Sequence, residues 1–540
     1  MQTNVLYYGD NLEILRNHVP DESIDLIYLD PPFNSKADYN VLFREEGGER
    51  SAAQIKAFSD SWHWDNAAEE TYREIIETCP DRVATMVSAL RRGIGSNDVM
   101  AYLVMMTLRL VELRRVLKPT GSLYLHCDPT VSHYLKVVMD AVFSPRNFTN
   151  EISWKRTTTK SDFREGATNW PRIHDILLYY QKNASVRARF DQPFAPYSER
   201  YVQSKYRYRD PDGRAYMLDK LTAPGFGSRG HPQYEFLGVT RHWVYARAKM
   251  EELLKTGRIV QPSPGTVPRY KRYLDEVRGV AIGDTWDDIY PINSMAHERL
   301  GYPTQKPLAL LERIIQASSN EGDVLLDPFC GCGTAIVAAE KLARKWIGID
   351  ITHLAITVMK ERLRDTFGDI TFEVIGEPKD LESARALATQ DRYQFQWWAL
   401  SLINARPTTD ERKKGADTGI DGVIGFVEEN GKAARVIVSV KSGGVNVGQV
   451  RDLKGVVERE KAVMGLFITL EPPTQPMRTE AVSAGFYHSA LWGKDYPRIQ
   501  ILPVEELLAG RQPLLPPSAS AGFTKARRLA KVEGTQEGLI

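Results

Sequence analysis

Short continuous apolar runs alternate with segments of helical period over the first 150 residues. Residues 24–29 (IDLIYL) are such a run. A run this short without polar alternation predicts a parallel strand buried on both faces. Residues 103–117 repeat Leu, Val and Met at helical spacing with Arg between them, and Lys118-Pro119 ends the pattern. They predict an amphipathic helix. A strand over 122–127 (SLYLHC) and a helix over 131–142 follow. The rhythm is lost over about 151–295, which is rich in Tyr, Arg, Gly and Pro. Turn signals stand there at Pro211-Asp212-Gly213, Pro224-Gly225 and Pro264-Gly265, so the segment reads as a loop-rich insertion. The rhythm returns near residue 300: a helix over 308–318, a strand over 323–326, a Gly-rich turn, a helix over 335–342 and a strand over 346–349. Strands alternating with helices predict an α/β fold with a doubly wound parallel sheet. Residues 376–382 (GEPKDLE) read as a linker. From 393 to about 508 a second, smaller α/β pattern brings an aromatic helix, a hairpin-like pair of strands, a helix and a strand over 465–470. The tail beyond Arg511 is rich in Pro, Ser, Ala and basic residues and is expected to be flexible. No internal repeat is visible.

Composition narrows the class. The 540 residues suggest about three units, and 42% hydrophobic with 26% charged residues argues against disorder, collagen and coiled coil. No apolar run approaches the roughly 18 residues of a membrane span, so no membrane is expected as a partner. The start, MQTNVLYYGD, lacks a basic region followed by an apolar stretch, so no secretory signal is expected. Cys79, Cys127, Cys330 and Cys332 make neither a disulfide framework nor a zinc spacing. A reducing, cytoplasmic setting is expected.

The net charge of +1 hides an uneven distribution. Between Lys155 and Asp275 stand 23 Lys and Arg against 12 Asp and Glu, so the rest of the chain is acidic by about ten. A basic segment in an acidic protein suits a polyanion, because phosphate neutralisation dominates nucleic-acid affinity. It equally suits a solvated surface facing acidic neighbours.

Two short segments carry chemistry. In Val324-Leu325-Leu326-Asp327-Pro328-Phe329-Cys330-Gly331-Cys332-Gly333-Thr334 a Gly-rich turn joins a strand to a helix. Ligands of doubly wound sheets sit at such strand ends. Asp350 follows Asp327 by 23 positions, close to the roughly 20 at which a carboxylate reaches ribose hydroxyls. No Gly-Lys-Ser/Thr follows in this loop and the loop is not a G-x-G-x-x-G, which leaves S-adenosylmethionine, with Asp327 facing its cationic amino-acid end. Alone, G-x-G also suits a turn that merely packs helix on strand. The second segment, Asp30-Pro31-Pro32-Phe33, directly follows the strand over 24–29. Consecutive prolines turn the chain rigidly there. A structural turn would do the same. The turn presents a carboxylate, a carbonyl and an aromatic ring together. The exocyclic amine of a nucleobase is a poor nucleophile because its lone pair is delocalised. The Asp30 carboxylate and the Pro31 carbonyl can hold its two protons and free that pair, with Phe33 stacked on a base that has left the duplex.

Taken together these segments resemble the amino-group DNA methyltransferases of the beta arrangement, in which the catalytic motif precedes the cofactor motif. The resemblance covers about residues 1–370. It extends to Tyr8-Gly9-Asp10-Asn11, to 121–128 (GSLYLHCD), 150–155 (NEISWK), 174–182 (HDILLYYQK) and 302–307 (YPTQKP). It implies a Rossmann-like, S-adenosylmethionine-dependent methyltransferase with a catalytic half over 1–154, a target-recognition insertion over 155–295 and a cofactor-binding half over 296–375. It implies that Thr304, Gln305 and Lys306 bind the methionine part of the cofactor and that Asp10 lies near its adenine. Asp327, Phe329, Gly331, Gly333 and Thr334 would line the pocket with Asp350. Asp-Pro-Pro accompanies adenine N6 methylation in this family and Ser-Pro-Pro cytosine N4, with exceptions, so cytosine N4 stays as the alternative. Trp154, Lys155 and Arg156 enter the insertion together and could contact an extruded nucleotide or its phosphates. A buried Trp154 at the domain edge fits as well. Arg207, Arg209 and Arg241 could read guanine edges, contact phosphates or simply carry surface charge. The implied partner is double-stranded DNA. A homodimer suits the family but does not follow from the residues.

After a linker over 376–390, residues 391–510 carry a second signal. Asp421 precedes one apolar strand and Lys441 ends the next (435–441, RVIVSVK). A metal-dependent phosphodiesterase is built this way, with the carboxylate holding Mg2+. With 450–461, 465–470 and 501–507 the segment resembles the Mrr-like branch of the PD-(D/E)XK endonuclease fold. The resemblance carries over Asp421, as a metal ligand, and Lys441. Ser439 stands where that family has Glu or Gln, and Gln396 appears on the first helix without the usual glutamate. Three readings stay open: a single-chain restriction–modification enzyme with Mg-dependent cleavage, a retained DNA-binding or assembly domain, and no site at all. With no helicase P-loop visible, a nuclease or translocase subunit would be a separate chain. The tail is 511–540.

Overall fold

The computed structural model describes the chain except for residues 33–37, 45–49, 60–62, 158–169, 224–229, 294–295, 297, 301, 303, 409–418, 429–432 and 518–540. Phe33 of the Asp-Pro-Pro-Phe turn, Pro224-Gly225 and most of the expected tail lie outside the described residues.

Nine strands form the large sheet: β1 (Val5–Tyr8), β2 (Ile24–Leu29), β3 (Leu117–Cys127), β4 (Phe148–Lys155), β5 (His174–Gln181), β6 (Thr285–Trp286), β7 (Val324–Asp327), β8 (Lys345–Asp350) and β9 (Glu373–Ile375). Their order is β6-β4-β5-β3-β2-β7-β8-β1-β9. From β3 to β9 all neighbours run parallel, while β5 is antiparallel to both β3 and β4. The order reverses between β2 and β7, where the catalytic and cofactor halves meet. Crevices of this kind open at the carboxyl ends of the strands. The apolar run of β2 is buried as its composition demands, with Ile24, Leu26, Ile27 and Leu29 at 0% exposure. Helix Asp98–Val116 starts earlier than the periodicity predicts because Asn97 caps it, accepting a hydrogen bond from Met100 N. It is buried almost all round, as a helix apolar on most faces must be. Helices Asn66–Thr78 and Asp81–Ile94, which the hydrophobic pattern did not single out, pack against the same core.

The sequence places an insertion over 155–295. In the structure β5 and β6 belong to the large sheet, because Ile176, Leu177, Leu178, Tyr179 and Tyr180 are buried between strands. The separate compact unit spans Gln192–Gly283. Its centre is a sheet of Tyr208–Arg209, Ala215–Lys220, Arg269–Tyr273 and Ile259–Val260, beside the hairpin of Gln233–Phe236 and Val239–His242. Its core is small: Leu221, Phe236, Val239, Trp243, Met250 and Ile259.

The expected linker over 376–390 is mostly a helix, Leu381–Gln390. Asp380 caps it, and Ala384 and Leu387 are buried in the core of the C-terminal domain. That domain is a five-stranded sheet in the order β10 (Arg406–Pro407), β11 (Gly422–Val427), β12 (Ala433–Lys441), β13 (Met464–Thr469), β14 (Ile499–Pro503). The expected hairpin of β11 and β12 is present and antiparallel, and β12, β13 and β14 are parallel. No helix among the described residues is long and apolar enough to cross a membrane.

Candidate active site

A cavity of about 380 Å³ opens where β2 and β7 end. It lies within the range of small-molecule sites. Its wall includes Asp30, Pro31 and Pro32 from the turn after β2, and Asp327, Phe329, Gly331 and Thr334 from the loop after β7. Asp10, Thr304, Gln305, Lys306 and Asp350 complete the predicted set around it. Gly333 is not among the lining residues. It caps helix Thr334–Lys341 at φ +74°, and a Cβ there would stand 2.6 Å from Met359. Its role is clearance beneath the loop. Gly331 does line the cavity, at φ +48°. A side chain there would press on the Tyr302 ring at 3.3 Å.

The polar groups are not equivalent. Lys306 pairs its ammonium with Asp30 Oδ2. The resemblance puts Lys306 on the cofactor's methionine end, whereas the structure puts its charge on the carboxylate of the Asp-Pro-Pro turn. The other oxygen, Asp30 Oδ1, is buried and has no hydrogen-bond partner among the described residues. Burying an acceptor without a partner costs free energy, so such an atom marks a place for a donor. Asp327 is 3% exposed and accepts a hydrogen bond from Phe329 N. Burial pushes its carboxyl well above the usual range. The Phe329 amide and Lys306 oppose that rise, and Asp30 and Asp350 add to it. Asp350 accepts from Gly331 N and from both N and Oγ1 of Thr352, each at 2.9 Å, so most of its capacity holds the loop. Burial raises its pKa as well. Gln305 spends its amide on the backbone of Glu298 and Leu300.

Four carboxylates, Asp10, Asp30, Asp327 and Asp350, line one cavity with two cations, Arg109 and Lys306, and this acidic surplus suits a ligand carrying positive charge. S-adenosylmethionine has a sulfonium and an ammonium, and the close approach allowed at Gly331 fits a ligand laid along the loop. The residues present therefore fit that cofactor.

Several participants were not picked out by sequence. Arg109, on helix Asp98–Val116, donates to Asp10 Oδ2 at 2.7 Å and holds Asn11, whose amide in turn reaches Pro328 O at 2.8 Å. Arg362 donates to Cys332 O at 2.8 Å and Thr334 Oγ1 at 3.0 Å, pinning the cofactor loop from behind. Tyr28 lines the cavity from β2. Charges buried inside a helical period or a strand leave no motif to find. Asn11 had one, standing in Tyr8-Gly9-Asp10-Asn11.

Trp154 does not reach solvent. It is 2% exposed, and its indole donates to Ile289 O at 3.0 Å. Alternation along β4 turns Ile152 and Trp154 inward and leaves Lys155 outside. The expectation that Trp154 contacts DNA is therefore corrected. Arg156 stands 3.2 Å from Asp175 and 3.9 Å from Asp128. In the separate unit, Arg207, Arg209 and Arg241 are exposed and bond within their own neighbourhood: to the Tyr208 hydroxyl, Gly213 O and Thr240 O. Part of the unit's basic charge is paired inside it, by Arg214 with Asp275 and Glu276, Arg258 with Glu276, Lys271 with Asp210 and Arg272 with Asp219, and the excess of basic over acidic residues is what these pairs leave over.

In the C-terminal domain Asp421 is folded onto β12, accepting from Val440 N at 2.7 Å and from Ser439 Oγ at 3.2 Å. Lys441 ends the same strand as predicted. Ser439 is buried, with its hydroxyl on Asp421 where a metal ligand was expected. Among the described residues no group of three or more His, Cys, Asp and Glu could hold a metal ion.

Residues 394–509 match the family model described as NACHT-associated inactive Restriction Endonuclease 1, which supports the expected restriction-endonuclease-like domain there without assigning it to the Mrr-like branch. A Type II methyltransferase of Enterobacter cloacae, M.EcaI, is 31% identical over 48% of this chain and 57% of its own length. The DNA adenine methyltransferase YhdJ of Escherichia coli is 46% identical over 15% of this chain and 27% of its own. A protein of Thermus thermophilus solved with S-adenosyl-L-methionine aligns over 69% of this chain and 97% of its own at 16% identity, with a TM-score of 0.33. The chain spans roughly half to three-fifths of the length of the first curated relatives it matches. The N6/N4 methyltransferase model, described as DNA methylase, covers residues 24–361, from the start of β2 into helix His353–Phe367. The chain belongs to the N6/N4 DNA methylase family.

Proposed function

We propose that this protein transfers a methyl group from S-adenosylmethionine to the N6 amine of an adenine extruded from duplex DNA, within a restriction–modification or phage-defence setting. The observation that carries the reading is Asp30 Oδ1, a buried acceptor without a partner among the described residues at the end of β2. When bound, the cofactor supplies an electrophilic methyl on its sulfonium. Asp327 answers the cationic amino-acid end, Asp10 and Asp350 lie towards the adenosine, and Thr304 and Gln305 shape the methionine side. Asp30 Oδ1 and the Pro31 carbonyl accept hydrogen bonds from the two amine N–H groups, which draws the nitrogen towards tetrahedral geometry; as the methyl leaves the sulfonium sulfur for the nitrogen, one of those protons is released. Lys306 balances the Asp30 charge, and Phe33 stacks on the base. Lys155, Arg156, Arg207, Arg209 and Arg241 supply phosphate or base contacts, and the unit Gln192–Gly283 reads the target.

Adenine is favoured by the Asp-Pro-Pro turn and by the likeness to the E. coli adenine enzyme. The test is incubation with methyl-labelled cofactor and duplex DNA, followed by digestion to nucleosides. N6-methyladenine is expected. Label found only in N4-methylcytosine rejects the base assignment. Asp30→Ala should lower turnover by about 100- to 1,000-fold, the size of one lost transition-state contact. Turnover like wild type in that variant overturns the reading.

For the C-terminal domain we propose a non-cleaving binding or assembly role, with any cutting supplied by a separate chain. Asp421 Oδ2 accepts from Val440 N and Ser439 Oγ, and the matched family is described as inactive. Magnesium-dependent cutting of unmodified plasmid that is lost in Asp421→Ala would favour the bifunctional enzyme instead.

A further inference from the structure

Behind the cavity a chain of polar side chains crosses the sheet. Tyr28, on β2, is 3% exposed, and its hydroxyl lies 2.9 Å from His126 Nδ1. His126, on β3, is fully buried, and its Nε2 lies 3.1 Å from Asp175 Oδ2 on β5. Asp175 is 2% exposed, and its second oxygen stands 3.2 Å from Arg156 Nε. The buried Trp154 packs edge-on against the imidazole, ring centroids 5.7 Å apart, which shields the chain from water. Three adjacent strands thus spend buried polar groups in a line that starts at the reaction pocket. Apolar residues would have packed there at lower cost.

The direction of each hydrogen bond follows from chemistry. Burial raises the Asp175 carboxyl, but His126, Lys306 and Arg156 outweigh it and leave the group below the usual range. An ionised carboxylate only accepts, so His126 carries its proton on Nε2. With a single proton on the ring, Nδ1 is an acceptor and the Tyr28 hydroxyl donates its hydrogen bond to it. Burial, reinforced by Asp30, raises the Tyr28 phenol well above its ordinary value, so the hydroxyl keeps that proton. Its one donor is spent on His126, and towards any further partner the oxygen can only accept.

We propose that His126 and Asp175 are positioning residues that fix the Tyr28 hydroxyl as an acceptor which shares with Asp30 Oδ1 one of the two N–H groups of the amine being methylated. The inference rests on the methyl-transfer reading above and adds to it a second acceptor on the N–H group that faces Asp30. Asp175→Asn separates orientation from packing. The amide is isosteric, and its oxygen stays with the Arg156 cation. Its NH2 then faces Nε2, which moves the imidazole proton to Nδ1 and turns the Tyr28 oxygen into an acceptor from His126.

The experiment uses the full chain, methyl-labelled cofactor and duplex DNA lacking amino-methylated bases, with 15N-histidine spectra to report the tautomer. Wild-type His126 should carry its proton on Nε2, and Asp175→Asn should shift it to Nδ1. The variant should lose about tenfold in kcat, the worth of one hydrogen bond, with KM for the cofactor within about twofold. Tyr28→Phe should lose a similar factor, and the double variant should be no slower than Tyr28→Phe alone. Unfolding curves like wild type show that the variants fold. Wild-type turnover in Asp175→Asn overturns the proposal. So do multiplied losses in the double variant, or a wild-type proton on Nδ1. Wild-type protein that labels no DNA overturns the methyl-transfer reading and the role of Tyr28 with it, while the histidine spectrum still judges the hydrogen-bond order separately.

Discussion

Asp30 and Asp327 share a cavity but differ in surroundings. Asp30 has an ammonium beside it, whereas Asp327 is buried with one backbone donor on its carboxyl. Burial holds the Asp327 proton to higher pH than in an ordinary aspartate. A cationic ligand end favours the ionised form, so cofactor binding should expel that proton. Affinity for S-adenosylmethionine should therefore rise with pH through the range where Asp327 titrates in the free protein, and level off above it. The same raised value means that the neutral carboxyl stabilises the free fold below the unfolded pKa, and that this contribution is lost as pH rises through the folded one. Calorimetry in buffers of different ionisation enthalpy should register proton release, absent in Asp327→Asn. Proton uptake would count against the assignment. At this scale the reacting side chains were legible because they sit in contiguous motifs. Arg109, Tyr28, His126 and Asp175 were not assigned, because each looks like an ordinary member of a helix or strand until the fold brings them together.

The loop between β7 and helix Thr334–Lys341 shows how an element is held in place. Gly333 takes a left-handed backbone with Met359 directly beneath it. Gly333→Ala should cost about 1–3 kcal/mol through backbone strain alone, before the clash is relieved. A fall in Tm of about 2–4 °C for each kcal/mol is expected. Cofactor should recover part of it by binding the folded state alone. An unchanged Tm would refute the clearance role. The α/β rhythm located β2, helix Leu308–Ser318 and the hairpin of β11 and β12, where burial and period agree. It gave the Leu381–Gln390 helix as linker because Gly376, Pro378 and Lys379 precede a cap, and a cap signals where a helix starts, not what it packs on.

The C-terminal domain is packed onto the cofactor half of the molecule. Trp397, on helix Arg392–Ser401, joins Tyr302, Cys332, Leu354 and Val358 in one apolar cluster, and Tyr302 and Cys332 also line the cavity. Gln394 accepts from His353 N at the start of the helix that carries Arg362. Trp397→Ala should therefore loosen the pocket wall and weaken cofactor binding by about three- to tenfold, roughly 1 kcal/mol of lost contact. It should do so without altering which base is methylated. Binding calorimetry on the full chain checks this, and unchanged affinity would show the two halves to be independent. Lys441→Ala should leave methyl transfer as it is, because Lys441 stands at the end of β12 and outside the cavity.

By itself the sequence determined the class of sheet, the two motif-bearing turns, the cofactor chemistry they suit and the presence of a second domain without its full metal-ligand set. These are local properties: apolar period, proline and glycine placement, and residue type at fixed spacing. Tertiary structure decided the rest. It turned Trp154 inward, gave Lys306 to Asp30, bonded Asp421 Oδ2 to β12 and set Trp397 behind the cofactor loop. Each outcome depends on which strand or helix lies across the gap, and that neighbour is tens to hundreds of residues away in the chain.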